Sequence, residues 1–282
     1  MSAAGTPVYD SSRSRLRFAE EARELWSYRH FVFELASRDI KVRYKRSVLG
    51  VAWTMLSPLM AMVVFTLVFS TFQRLPIPGY PVYYLSAAIF WTFFSQVTSH
   101  VGSLTTDALE IANRIYIPRS VFVASAVVVG LVNLLLSLVP FALIILVTGR
   151  PAHWTWLFLP VSLVIGTLFT AGVGLLMFTL ALRFVDVRDM YQAVLLPWFF
   201  VTPILWSTAT LGDRAEQHHT LLQVLHWVNP VAPPIFAVRD AIWSGHAPHL
   251  GDVVYAIVAA CIALVLGAIV FRSVDDRIAV EL

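Results

Sequence analysis

The sequence predicts an all-α, polytopic integral membrane protein with six transmembrane helices and an N-terminal interfacial amphipathic helix. Three observations predict it. The 282-residue chain is 58% hydrophobic and only 13% charged, with a mean hydropathy of +0.75, far more apolar than a soluble domain. Charge-free intervals fall at 47–73, 75–106, 120–149, 151–182, 190–212, 217–238 and 253–271, and a spanning helix needs about 20 apolar residues. Basic residues alternate sharply between successive connections, sixteen on one side against four on the other. The positive-inside rule then places both termini in the cytoplasm and the protein in the cytoplasmic membrane.

Residues 14–46 contain no Pro or Gly, and Leu25, Tyr28, Val32, Leu35, Asp39 and Val42 recur at helical spacing. A basic amphipathic helix of this kind lies in the interface and attracts anionic lipid heads. It ends in a dense cluster of Arg38, Lys41, Arg43, Lys45 and Arg46. Six spans follow at about 51–72, 82–101, 120–147, 157–182, 190–206 and 252–271. The division is therefore 1–50 as cytoplasmic tail and interfacial helix, 51–272 as the six-helix domain, and 273–282 as cytoplasmic tail. The uncharged interval 217–238 differs from the rest, carrying three histidines and three prolines. So much backbone and polarity cannot face lipid unsatisfied, so about 207–250 is read as a re-entrant or interfacial helical pair on the outer side.

Little in the chain points to catalysis. No GxxxxGK[ST] motif is present to cradle nucleotide phosphates. His218, His219 and His226 lack the spacing of a zinc site, and the lone Cys261 has no intrachain partner. Asp186, Arg188 and Asp189 form a short charged turn, read as a salt-bridged docking loop rather than an acid–base pair. No Asp, Glu, Lys or Arg between positions 51 and 206 is central to a span, which argues against an ion-coupled carrier. Energy for any transport should come from a separate protein. The basic pI of about 9.2 belongs to the inner membrane surface and needs no nucleic acid.

RDIKVRYKRSVLGVAWTMLSP (residues 38–58) closely resembles the signature that enters the first span of ABC-2-type permeases exporting cell-surface polysaccharides, the Wzm-like channel subunits of O-antigen, teichoic-acid and capsule systems. NRIYIPRSVF (113–122), RFVDVRD (183–189), TPILWS (202–207) and VNPVAPPIFAVRDAIWSG (228–245) continue the resemblance in register along nearly the whole chain. The arginine-rich composition is similar to that expected of permeases for lipid-linked galactan in mycobacterial cell walls. The Pro233-Pro234 pair and its neighbouring histidines depart from the family's pattern.

The resemblance implies a homodimeric permease with two copies of a cytoplasmic ABC ATPase, moving an undecaprenyl- or decaprenyl-type lipid-linked polysaccharide. ATP and Mg would be used by the partner; this chain itself would bind no cofactor. The basic cluster would then hold lipid and substrate phosphates, since arginine supplies forked contacts and lysine point charge. Leu104–Arg114 would form a coupling helix with Asp107, Glu110 and Arg114 at the ATPase contact. A channel lining follows from periodicity: Tyr84, Ala88, Trp91, Ser95 and Thr98 on the second span, and Tyr191, Trp198 and Thr202 on the fifth, with Trp206 at its end. Rings and hydroxyls suit a sliding sugar, although helix packing and interface anchoring account for the same residues. Two other functions remain open at this level, an ABC-2 exporter of a small drug or lipid and a membrane-embedded glycosyltransferase or phosphatase.

Overall fold

A computed structural model describes residues 18–112, 117–151, 153–207, 210 and 218–281. Among these, every regular element is helical. In chain order they are α1 (Phe18–Ser27), α2 (Arg29–Tyr44), α3 (Ala52–Phe65, continued by a π-helical stretch Thr66–Phe72), α4 (Tyr80–Ser103) and α5 (Thr105–Ala112). Then come α6 (Ser120–Val147), α7 (Phe158–Arg183, preceded by a 3-10 turn Trp154–Leu157) and α8 (Val187–Val201). The last are α9 (His219–Val228), α10 (Ala232–Arg239, continued by a π turn Asp240–Ser244) and α11 (Leu250–Glu281).

Four of these stretches are long and apolar enough to cross a membrane: Ala52–Phe72, Ser120–Val147, Trp154–Arg183 and Leu250–Ser273. The pair α9 and α10 passes the same test jointly but is bent by 97°, so the helical pair expected near 217–238 is present. The remaining two expected spans differ in kind. Helix α4 has 24 residues, about 36 Å at 1.5 Å per residue, yet tyrosines, hydroxyls, Gln96 and His100 dilute its apolarity. Helix α8 has 15 residues, about 22 Å, because Pro203 forces Thr202 out of the helical region to ψ 133°. The single helix expected over 14–46 is broken at Tyr28. The Ser27 hydroxyl and the Arg29 guanidinium donate to the carbonyls of Glu24 and Trp26, which satisfies the end of α1.

Helix α4 is the axis of the fold. It packs on α3, α6, α7, α8 and α10, and Tyr80, Tyr83, Phe90 and Phe94 are among its fully buried side chains. Its side chains find room because glycines face them: a Cβ at Gly130 would lie 2.2 Å from Val97 and 3.1 Å from the Phe93 ring, and one at Gly166 2.2 Å from the Phe90 ring. At one end of the bundle, Val32 and Leu35 of α2 join Leu104, Ala108, Val121, Phe122 and Phe178 in a second apolar cluster. This is the basic end, where α2, α5 and the start of α6 meet.

The most extensive helix pairing is α7 against α11. Gly172 and Gly267 let their backbones touch: a Cβ at Gly172 would sit 2.4 Å from the Ala263 carbonyl carbon, and one at Gly267 2.6 Å from the Gly172 oxygen. Small residues are the usual means of such close packing in a membrane. Gly172→Ala should therefore destabilise by about 1–3 kcal/mol, as overpacking does. Gly174→Ala, whose new methyl would meet Val123 at an ordinary 3.5 Å, should leave the thermal midpoint in detergent nearly unchanged. Equal midpoints for the two variants would contradict this packing.

Candidate functional site

At the end opposite the basic cluster, the chain leaves α8 as an unwound segment, 202–206, in which the Thr202 carbonyl accepts from the Ile204 N–H at 2.7 Å. Side chains from distant elements take up the carbonyls of 203–206. The Tyr80 hydroxyl donates to the Leu205 carbonyl at 3.0 Å and the Tyr83 hydroxyl to that of Trp206 at 2.6 Å. Arg239 donates to the carbonyls of Pro203 at 2.7 Å and Ile204 at 3.4 Å. The Arg239 residue is only 4% exposed, and its guanidinium carbon lies 3.8 Å from the Tyr83 ring centroid, a cation–π contact strengthened by desolvation. Arg150 repeats the device nearby, donating to the carbonyls of Trp243 and Pro78 at 2.8 Å each.

Asn229, in the Asn-Pro turn between α9 and α10, ties this segment to α8. Its Oδ1 accepts from Trp198 Nε1 at 2.9 Å and from the Val231 N–H at 3.1 Å, and its Nδ2 donates to Thr202 Oγ1 at 2.8 Å. His226 pairs with Asp252 at 2.7 Å, joining α9 to α11.

A cleft of about 410 Å³ opens on the other side of α4, between α3, α4 and α6. Arg43, Tyr44 and Ser47 border its basic end with Gln96 and Asn133, Ala88 and Thr92 its middle, and Tyr84 and Ala61 its far end. Helix α3 forms the outer wall and is the least buried of the four apolar spans. Pro58 has no N–H, which deprives the Thr54 carbonyl of its intrahelical donor. The Ser137 hydroxyl of α6 lies 3.2 Å from that oxygen and 2.9 Å from the Asn133 carbonyl. One hydroxyl proton serves one carbonyl at a time, so the α3–α6 bond can be exchanged for one within α6.

The structure divides the expected lining set. Tyr84 and Ala88 border the cleft, but they continue along the helix into Thr92 and Gln96 rather than into Trp91 and Ser95. Trp91 is 7% exposed and meets Trp198 at 6.0 Å between centroids, with Phe94 and Phe199 completing the cluster. Tyr191 donates to Thr98 Oγ1 at 2.7 Å, and Thr202 serves the Asn229 network. Ser95 is half-buried, its hydroxyl turned to the Thr92 carbonyl. Gln96, Asn133 and Ser137 are absent from the expected set; the signal for them is uncharged hydrogen-bonding capacity inside apolar runs.

At the basic end, Arg38, Lys41, Arg43, Lys45 and Arg46 are exposed, and Arg46 adopts φ 68° in the turn after α2. Asp39 of the same helix faces α4, its Oδ2 3.2 Å from His100 Nε2. The segment expected to meet the ATPase contains α5, with Ala108 buried and Glu110 exposed. Asp107 lies on α5, and Arg114 falls outside the described residues. The charged turn is not salt-bridged internally: no ion pair joins Asp186, Arg188 and Asp189 among the described residues. Arg188 instead lays its stem against Gly102.

An architecture of this kind, apolar helices around a polar cleft with a basic rim, is that of a membrane permease. Residues 30–243 match the model of the ABC-2 type transporter family, and the chain belongs to that family. It is 28% identical over 246 residues to the O-antigen export system permease protein RfbA of Myxococcus xanthus, covering 87% of this chain and 92% of the relative. RfbA of Klebsiella pneumoniae is 27% identical over 216 residues, 75% of this chain and 79% of the relative. The polysialic acid transport protein KpsM of Escherichia coli is 21% identical over 245 residues, 85% and 91% respectively.

The Asn229 network gives a direct test. Asn229→Leu would strand the Trp198 and Val231 donors, at about 1–3 kcal/mol for each buried group left unsatisfied. Asn229→Asp keeps the acceptor oxygen but loses the bond donated to Thr202 and places a carboxylate in a buried site. Both variants should therefore lower the thermal midpoint; Leu equal to wild type would refute the assignment.

Proposed function

We propose that the chain is the membrane subunit of an exporter of lipid-linked cell-surface polysaccharide, assembled as two copies with two copies of a separate ABC ATPase. The observation that carries this reading is the similarity to O-antigen and polysialic acid permeases over most of both chains. It is supported by the missing nucleotide-binding motif, which leaves ATP and Mg to the partner. The sixteen-to-four basic asymmetry supports cytoplasmic termini in a six-span arrangement. On that orientation the basic cluster meets anionic phosphates at the inner surface, and α5 with the exposed Glu110 meets the ATPase.

Helix α8 supports a second copy. None of its residues is buried within one chain, and Met190, Val194, Leu196 and Phe200 are exposed on it. Two-fold pairing is the commonest closed assembly and would place the two polar clefts about one shared axis. Tyr84 is the expected lining residue best placed for the substrate route, while Trp91 and Trp198 would shape that route by holding α8 on α4.

Reconstitution with the ATPase in vesicles tests the reading. Lipid-linked glycan loaded on the ATPase side should become accessible to an impermeant glycosidase on the other side only when ATP is supplied. Export of a small amphiphile with no movement of glycan would contradict it. Glu110→Lys should weaken ATPase association by about tenfold, as expected for one charge reversed at an interface, without lowering the thermal midpoint of the permease. Unchanged association would remove α5 from the contact.

A further inference from the structure

The cleft between α3, α4 and α6 holds more hydrogen-bonding capacity than the protein uses. The hydroxyls of Ser57, Thr92 and Tyr84 border it, and none of the three has a hydrogen-bond partner among the described residues. The Gln96 amide accepts one long bond, 3.5 Å from Asn133 Nδ2, which leaves its own N–H groups and the Asn133 oxygen unused. On α4 these groups run from Tyr84 to Gln96, a rise of about 18 Å at 1.5 Å per residue. Polar groups so placed in a membrane protein need partners, because the hydrocarbon around them offers none. An acyl chain entering the cleft would leave them all unmet.

The volume of about 410 Å³ lies in the range of small-molecule sites, about 300–1,000 Å³. The lining is neutral apart from Arg43 at one end. Neutral donors and acceptors interleaved with the rings of Tyr84, Phe93 and Trp53 match a hydroxyl-rich ring that is polar at its edge and apolar on its face. The terminal guanidinium matches a phosphate. We infer that this cleft is a subsite for the sugar nearest the phosphate of a lipid-linked glycan, with Arg43 on the phosphate and Thr92, Gln96 and Asn133 on the sugar hydroxyls. The inference rests on the export reading above and adds to it the group that is recognised. Helix α3 is the removable wall: Ser137 can release the Thr54 carbonyl and fall back on Asn133 without losing its own bond.

The test uses the full chain with its ATPase in nanodiscs, titrated with two radiolabelled probes, a prenyl-pyrophosphoryl monosaccharide and the same prenyl pyrophosphate without sugar. Wild type should bind the glycosylated probe about tenfold more tightly, the worth of one to two hydrogen bonds. Gln96→Leu and Thr92→Val should abolish that preference and leave the bare pyrophosphate unaffected. Both positions have room in the cleft, so neither variant should disturb folding. Arg43→Ala should weaken both probes alike.

Equal binding of the two probes by wild type, or an intact preference in both variants, would overturn the subsite. So would displacement of the glycosylated probe by phosphatidylglycerol at equal concentration, which would mark a resident-lipid site. Export of lipid-linked glycan without any sugar preference would sink this inference and leave the export reading standing. Sugar preference without export would do the reverse.

Discussion

A buried guanidinium holding an unwound piece of backbone is the constraint on which the rest of this structure depends. Thr202 to Trp206 leave α8 with carbonyls that no helix can satisfy, and backbone in that state is tolerated in a membrane protein only where the protein itself supplies donors. Arg239, Tyr80 and Tyr83 supply them. Those three residues belong to α4 and α10, so satisfying the segment fixes the axis of the bundle, the end of α8 and the bent pair together. Arginine is suited to this because its fork reaches two carbonyls while its face lies on an aromatic ring.

With one face of α4 committed to that network and to the Trp91–Trp198 cluster, the other face is left to the cleft. Rigid packing and usable polarity are thus separated by about half a helical turn. The cleft is walled on its open side by the least buried apolar span, whose proline frees a carbonyl that Ser137 answers with an exchangeable bond. On the export reading this division has a purpose: a fixed frame carries the ATPase contact at α5, while the loosely held α3 borders the region where a lipid-linked group would enter. Asp39 and His100 join α2 to the α5 end of α4, so the basic rim and α5 lie at the same end of the bundle.

Much of this was legible in the sequence. Charge-free runs located the apolar spans of α3, α6, α7 and α11 within a few residues, because the spacing of charges reports membrane length directly, although α11 itself continues to Glu281. The helical pair near 217–238 was legible from its prolines and histidines. The break at Tyr28 was not, since side-chain bonds from Ser27 and Arg29 end α1 without a glycine or proline. The stripe Tyr84, Ala88, Trp91, Ser95, Thr98 lies on one helical face, but α3 meets it at Tyr84 and α8 at Trp91 and Thr98, a division that periodicity does not report. Gln96 and Asn133 escaped attention because a search for ionisable groups passes over neutral amides. Arg239 looked like one of four sparse basic residues; its partners are carbonyls, which no charge pattern reveals.

Hydrogen–deuterium exchange over 198–207 in wild type and Arg239→Met, with Arg150→Met as comparison, tests the central constraint most directly. Loss of the guanidinium should speed exchange across 202–206 and the first turn of α4 while leaving the α7–α11 contact protected. Arg150→Met should confine its effect to the neighbourhood of Pro78 and Trp243. Unchanged exchange over 202–206 in Arg239→Met would contradict the account, because the unwound segment would then be held by something other than the buried arginine.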